Sequence, residues 1–399
     1  MYEMVTTLLQ PCALIDTCAH IYWGTYISEG KGYCVRREWC GGSERGDVVG
    51  GGKGDVLYEK DGEKYYVVDG HVHFWNAGPD NRNKYGKMFI DCFYGYHSSL
   101  SPEEYLWDEE KFAEYSEENM MHDLFEVGYV DKAIFQPTYL LDFFPEGFNT
   151  TAQDAVLAEK YPDKFILNSS FEPRLGEQGL KEFEEKHKRY GFKGVKLYTA
   201  EWHEDSKGWK LNDDWSRRYL EKCLELGVKN IHVHKGPTIR PLNKDAFNVD
   251  DVDHVATEFT DLNFIVEHVG LPRLEDFCWI GVQEPNVYGG LAVAMPLIYS
   301  RPRYFAQIIG ELLYWLDEDR ILFSSDYAIW QPKWLVEMFV DFQIPEDMQG
   351  EYGTLTPDIK RKILGLNAAN LYDIEVPSEI PQEEPVMAGS EAEYPEKPV

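Results

Sequence analysis

Residues 65–75 read YYVVDGHVHFW. Apolar and aromatic residues lead into Asp69 and Gly70, and two histidines follow one residue apart. Side chains alternate faces along a strand, so His71 and His73 share one face at the end of a buried strand. Two imidazoles converging on one point suit a metal ion and pack poorly as core.

Immediately upstream, VLYEKDGEKYYVV (56–68) alternates around Asp61-Gly62, a two-residue hairpin signal whose second strand is expected to run straight into the histidine motif. Downstream, apolar strand candidates recur at 132–139, 164–172, 192–199, 230–236, 263–270, 287–296 and 320–328. Between them lie stretches such as DDWSRRYLEKCLELGV (213–228) and RPRYFAQIIGELLYWLDE (301–318), apolar at three- and four-residue spacings. Eight strands each followed by a helix predict an α/β chain folded as a (β/α)8 TIM barrel. The barrel is expected over 55–376, after an N-terminal extension and Gly-rich linker (1–54) and before a flexible acidic tail (377–399). The glycines of 41–54 do not form a phosphate loop, because Lys53 is followed by Gly54 and the first glycine is out of register.

The chain has 399 residues and a formal charge of −31, which argues against nucleic acid and anionic membrane as partners. No run of eighteen apolar residues suggests a membrane span, and the N-terminus lacks a basic region and a clear cleavage site, so a cytoplasmic location is expected. Of the seven cysteines, Cys12, Cys18, Cys34 and Cys40 crowd the first forty residues. Their Cys-x5-Cys spacing is not that of a zinc knuckle, and reduced thiols are expected.

Barrel active sites lie at the C-terminal ends of the strands. Those ends carry His71 and His73, Glu172, Lys196 and Tyr198, His232 and His234, Glu267 and His268, and Asp326. A lone strand-end histidine is ordinarily a hydrogen-bonded structural residue. His232 is read that way and expected to point away from His234; His203 stands evenly between surface and site. Glu172 is balanced between pairing with Arg174 and bridging metal ions, with the bridge preferred. His71, His73, His234, His268 and Asp326, all at strand ends, read as a metal centre. The stretch from Phe74 to about Met120, read as a long loop, carries Trp75 and many other aromatics, which would cap a pocket or pack against another subunit. Trp75, Arg174, Lys196 and Tyr198 are the candidate substrate-binding residues, and Lys235 is a further candidate cation for a substrate carboxylate.

DGHVHFW, GFKGVKLY, HVHKG, EHVG and FSSDYAIW, with the closing IKRKILGLNAANLYDI (359–374), together resemble the amidohydrolase superfamily. Within it they are most similar to the amidohydrolase-related family of aminocarboxymuconate-semialdehyde decarboxylase and aromatic-acid decarboxylases. The resemblance spans roughly 64–374. It implies that His71, His73 and Asp326 hold one ion (zinc, manganese or iron), that His234 is a further ligand, and that His268 serves a second ion or polarises substrate. Asp326 would also shuttle a proton. The implied activity is hydrolysis or decarboxylation of a small organic acid or amide. Glu172 departs from the decarboxylase pattern. As a bridge between two ions, preferred here over a modified Lys196, it would instead resemble the dinuclear iron or manganese–iron oxygenases such as 2-aminoisobutyrate hydroxylase, a complex of two related subunits. A homo-oligomer, or a hetero-oligomer with a related subunit, is therefore expected.

Overall fold

The structure, a computed structural model, describes residues 57–381. The expected extension and linker (1–54), with Cys12, Cys18, Cys34 and Cys40, lie outside the described residues, as does the acidic tail beyond residue 381.

Strands β1 (Tyr58–Lys60) and β2 (Glu63–Tyr65) form the antiparallel hairpin. Its turn residues Asp61 and Gly62 have φ of 53° and 82°, the left-handed pair that Asp-Gly supports. The hairpin does not run unbroken into the histidine motif. The chain leaves β2 at Tyr65, the Asp131 carboxylate accepts from Val67 N at 2.8 Å, and β3 (Val68–Val72) begins there.

Eight further strands follow: β4 (Lys132–Phe135), β5 (Phe165–Ile166), β6 (Asn168–Ser169), β7 (Gly194–Leu197), β8 (Asn230–His234), β9 (Asn263–Glu267), β10 (Val287–Gly290) and β11 (Ile321–Leu322). β3, β4 and β5 pair in order, β6 to β11 pair in order, and every pairing is parallel. β5 and β6 are two halves of one expected strand, interrupted at Leu167. The first and last parallel strands are joined by Gly70 N to Phe323 O (3.0 Å), Asp326 N to His71 O (3.1 Å) and His73 N to Tyr327 O (2.7 Å). Asp69 reinforces that seam, its Oδ1 accepting from His71 N and Ser325 N. Eight strand positions thus close into the TIM barrel.

The expected amphipathic segments are helices. Asp214–Leu226 buries Tyr219, Leu220 and Cys223 and ends at Gly227 with φ 73°. Pro302–Trp315 starts on proline and buries Phe305, Ile308, Ile309 and Leu312. The segment after β3 differs from the long loop expected. It contains the helix Lys84–Leu100, capped by the Asn83 side chain on Tyr85 N and Gly86 N, which buries Phe89, Ile90, Phe93 and His97. Short helices Glu109–Ala113 and Glu117–Met121 follow. The three- and four-residue spacing of its aromatics signals a helix lying over the barrel mouth. At the far end of the chain, Asn367 donates to Glu318 O and Ile321 O and so fastens the closing helix beneath β11.

Candidate metal centre

The end of β3 presents His71 and His73, with their Nε2 atoms 3.1 Å apart. Asp326 enters from the chain after β11, its Oδ1 3.7 Å from His71 Nε2 and 3.5 Å from His73 Nε2. All three are buried, and their ligand atoms lie within 4.8 Å of one another. Asp326 and His268 have φ of 59° and 67°, left-handed conformations uncommon outside glycine. Such geometry persists where surrounding structure enforces it, commonly at functional sites.

The partners behind each ring assign its tautomer. His73 Nδ1 is 3.1 Å from Asn149 Oδ1, and the Asn149 amide nitrogen donates to Asp154 Oδ1 (2.7 Å) and Phe74 O (3.3 Å). The amide oxygen therefore accepts from His73 Nδ1–H. His71 Nδ1 lies 2.9 Å from Glu267 Oε2, at a bent angle but with no other acceptor in reach. Both Nε2 atoms therefore carry lone pairs that face each other beside a carboxylate, that of His71 also accepting from Lys196 Nζ. Two lone pairs at that separation repel unless a cation lies among them. Lys196 Nζ, 3.1 Å from His71 Nε2, supplies one positive charge. A divalent ion fits the donor set of two imidazoles and a carboxylate.

His268 Nδ1 faces the carbonyl of Ala292 (3.1 Å) and so carries the proton. Its Nε2 accepts from His234 Nδ1 at 2.9 Å, which leaves His234 Nε2 as a buried lone pair without a partner, on the wall of the same cavity. His234 is thus available as a further ligand or base. His268 has both nitrogens engaged and orients His234.

Burial, reinforced by Lys196, pushes the His71 imidazole down to about 3, and burial pushes His268 to about 4. Burial and the neighbouring His268 hold His234 well below the ordinary range. These three imidazoles are neutral at pH 7, the ligand-competent form. Burial alone would raise Asp326 and Glu267, but the imidazoles, His71 foremost, hold both carboxyls below their ordinary range. Burial lowers Lys196 to about 8.

Lys196, Tyr198, His234 and His268 line the cavity with His71, His73 and Asp326. Glu172 is not brought into this group. Its carboxylate is gripped by Arg174, with Nε to Oε1 at 2.7 Å and NH2 to Oε2 at 2.5 Å, and Arg174 also bonds Ser206 and Glu201 O. Neither Glu172 nor Arg174 lines the cavity. Lys235 is likewise spent on Asp251, 2.8 Å away. Trp75 stacks on Phe148 at 5.2 Å and donates to Phe112 O, packing behind His73 instead of lining the cavity. His203 makes a backbone bridge to Ser206, away from the centre. His232 does not point away from His234; two residues apart on β8 they share a face. It lies deeper, with Nδ1 2.6 Å from Glu267 Oε1 and Nε2 2.7 Å from the Tyr372 hydroxyl.

Sequence reasoning assigned no role to Glu267, Asn149, Asp154 or Trp330. For Glu267 a signal existed: an acidic residue inside a barrel strand must be paired. For the others none existed, since their relation to the centre is set by packing between distant segments.

The family model described as Amidohydrolase matches residues 68–374. A search of the curated proteins found no match. Among solved structures, an uncharacterised TIM-barrel protein from Bordetella bronchiseptica superposes with a TM-score of 0.58 at 19% identity, covering 77% of this chain and 99% of that one. An amidohydrolase from Burkholderia multivorans with bound zinc gives 0.53 at 13% identity, covering 78% and 100%. A 5-carboxyvanillate decarboxylase from Novosphingobium aromaticivorans, complexed with manganese and 4-hydroxy-3-methoxy-5-nitrobenzoic acid, gives 0.51 at 16% identity, covering 77% and 96%. At these identities the likeness is one of fold.

Proposed function

The chain belongs to the amidohydrolase family, and from that premise we propose that it is a metal-dependent enzyme that hydrolyses or decarboxylates a small organic acid or amide. The observation that carries this reading is the pair of opposed imidazole lone pairs beside the Asp326 carboxylate. His71, His73 and Asp326 would hold the ion, with His234 Nε2 as a further donor. A divalent ion there would supply Lewis acidity toward a substrate oxygen or a water. The chain's own groups do the rest. Asp326, ionised, accepts and passes on a proton. Lys196 places a positive charge where an anionic oxygen would sit. Glu267 and Asn149 keep the rings of His71 and His73 in ligand-competent tautomers. Phe93, Phe148 and Ile329 line the cavity and exclude bulk water. A two-ion oxygenase would need a bridging carboxylate, and Glu172 is held elsewhere by Arg174, so a single-ion centre is the better supported reading.

Among the described residues no helix is long and apolar enough to cross a membrane. The test is metal content by mass spectrometry on protein purified without added metal or chelator. About one zinc, manganese or iron per chain, lost in His71→Ala, is expected. Equal metal content in wild type and variant would overturn the assignment.

A further inference from the structure

A TIM-barrel interior is ordinarily filled by layers of branched aliphatic side chains. Beneath this centre the filling is polar. Gln136, Asn168, His232 and Glu267 are fully buried there, and Tyr372 reaches them from the end of the helix Asn367–Leu371. Buried polar groups cost stability unless they are paired, and a network in which they are paired is rigid.

The hydrogen bonds of this network can be assigned in order. The Tyr372 hydroxyl accepts from Asn168 Nδ2 at 2.8 Å and donates to His232 Nε2 at 2.7 Å, a nearer acceptor than Asn168 Oδ1 at 3.2 Å. The proton of His232 is therefore on Nδ1, which donates to Glu267 Oε1 at 2.6 Å. Gln136 Nε2 lies 3.1 Å from the same Nδ1, but it donates to Gly70 O at 2.8 Å, and the closer, charged acceptor takes the imidazole proton. The other carboxylate oxygen, Oε2, faces His71 Nδ1 at 2.9 Å. The two contacts on Glu267 are unequal. The one with His71 is bent and longer, so the one with His232 fixes how the carboxylate stands. A buried carboxylate that loses one of two donors is left with an unmet oxygen, and it turns toward whatever donors remain.

We propose that His232 is a positioning residue for the metal centre. Acting through Glu267, it holds the proton of His71 on Nδ1 and so keeps His71 Nε2 as a donor to the ion; Tyr372 in turn fixes the tautomer of His232. This rests on the reading of His71, His73 and Asp326 as the site of the ion. The two histidines of HVHKG then divide the work: His234 faces the cavity, and His232 supports a ligand on another strand.

The test is imidazole nitrogen NMR on metal-free protein, with zinc affinity read by competition with a chromophoric chelator and melting temperature as the control. In wild type, His71 and His232 are both expected as Nδ1–H tautomers. In His232→Phe, which keeps the ring's bulk, His71 is expected to populate both tautomers and zinc affinity to fall about tenfold. His232→Gln, whose amide can donate to Glu267 Oε1, is expected to restore both readings. A residue needed only for packing would be replaced better by Phe than by Gln. Should His232→Phe fail to fold, the same substitution combined with Tyr372→Phe, which removes the stranded hydroxyl, carries the test. Wild-type His232 with its proton on Nε2 would overturn the proposal. So would a folded Phe variant with unchanged His71 tautomer and zinc affinity, or Phe and Gln variants weakened alike. Because the tautomers are read without metal, the two readings fail separately. Wild type that takes up no zinc would refute the metal-dependent function, and a His71 tautomer that still depends on His232 would leave the positioning role standing.

Discussion

Replacing Glu267 tests whether the carboxylate under His71 sets the affinity of the centre. Glu267 is fully buried and faces two imidazole N–H groups, His71 Nδ1 at 2.9 Å and His232 Nδ1 at 2.6 Å. In Glu267→Gln the amide oxygen can still accept from His71. Its NH2 then confronts His232, whose proton can move to Nε2 because Tyr372 has Asn168 Oδ1 as an alternative acceptor at 3.2 Å. The tautomer of His71 survives, and what is lost is the negative charge that makes its Nε2 a stronger donor. Glu267→Leu removes the acceptor as well, so nothing holds the His71 proton on Nδ1. Groups of this kind behind metal ligands typically contribute 10- to 100-fold in metal affinity. The expected ordering is therefore a loss of about tenfold for Gln and about 100-fold for Leu, or about 1.4 and 2.7 kcal/mol. Fold stability should fall as well in Glu267→Leu, because His71 and His232 lose their buried acceptor. The assay is zinc or manganese affinity by competition with a chromophoric chelator, with melting temperature as the control. A folded Glu267→Leu protein that binds metal as tightly as wild type would refute the tautomer argument.

Glu172→Ala should leave metal content unchanged and alter stability by no more than about 1 kcal/mol, since its partly exposed pair with Arg174 is screened by solvent; loss of an ion per chain would restore the bridging role. In metal-free protein, His71 and His268, held at about 3 and about 4, should remain neutral at pH 5 by imidazole NMR. Because each folded value lies below the unfolded one near 6.5, each contributes stability that is present above that pH and withdrawn as pH falls toward 3–4. The loss is about 2 kcal/mol per ring between pH 7 and 5, and a titration midpoint near 6.5 would contradict it. Gly365→Ala would put a Cβ 2.0 Å from the backbone oxygen of Tyr66, and about 3 kcal/mol or more of destabilisation is expected in denaturant unfolding; an unchanged midpoint would show that the closing helix can shift away from the barrel.

How much of the centre is readable in the chain depends on how local each relation is. His71 and His73 follow from alternation within one strand, and the hairpin from Asp61-Gly62. Which of two strand-end glutamates serves the site is a different kind of question. Glu172 lies just past β6, beside the turn Pro173–Leu175, where Arg174 two residues on captures it. Glu267 lies on β9 and meets His71 from across the barrel. In sequence both are acidic residues near a strand end, and only their neighbours in space separate them. The helix Lys84–Leu100 was legible in its three- and four-residue aromatic spacing and was obscured by its length and its Gly86 and Gly95.

The sequence by itself determined the eight-fold alternation of strand and helix, and hence the barrel, because apolar periodicity is a property of consecutive residues. It also singled out His71, His73 and Asp326, the group that could hold an ion, because barrel strands deliver their C-terminal residues to one face. Tertiary structure alone decided which nitrogen of each ring keeps its lone pair. Ala292 O sets His268, His268 sets His234, Glu267 sets His71 and Asn149 sets His73. A proton on an imidazole goes to whichever nitrogen meets an acceptor, and all four of those acceptors reach their histidine from 24 to 196 residues away along the chain.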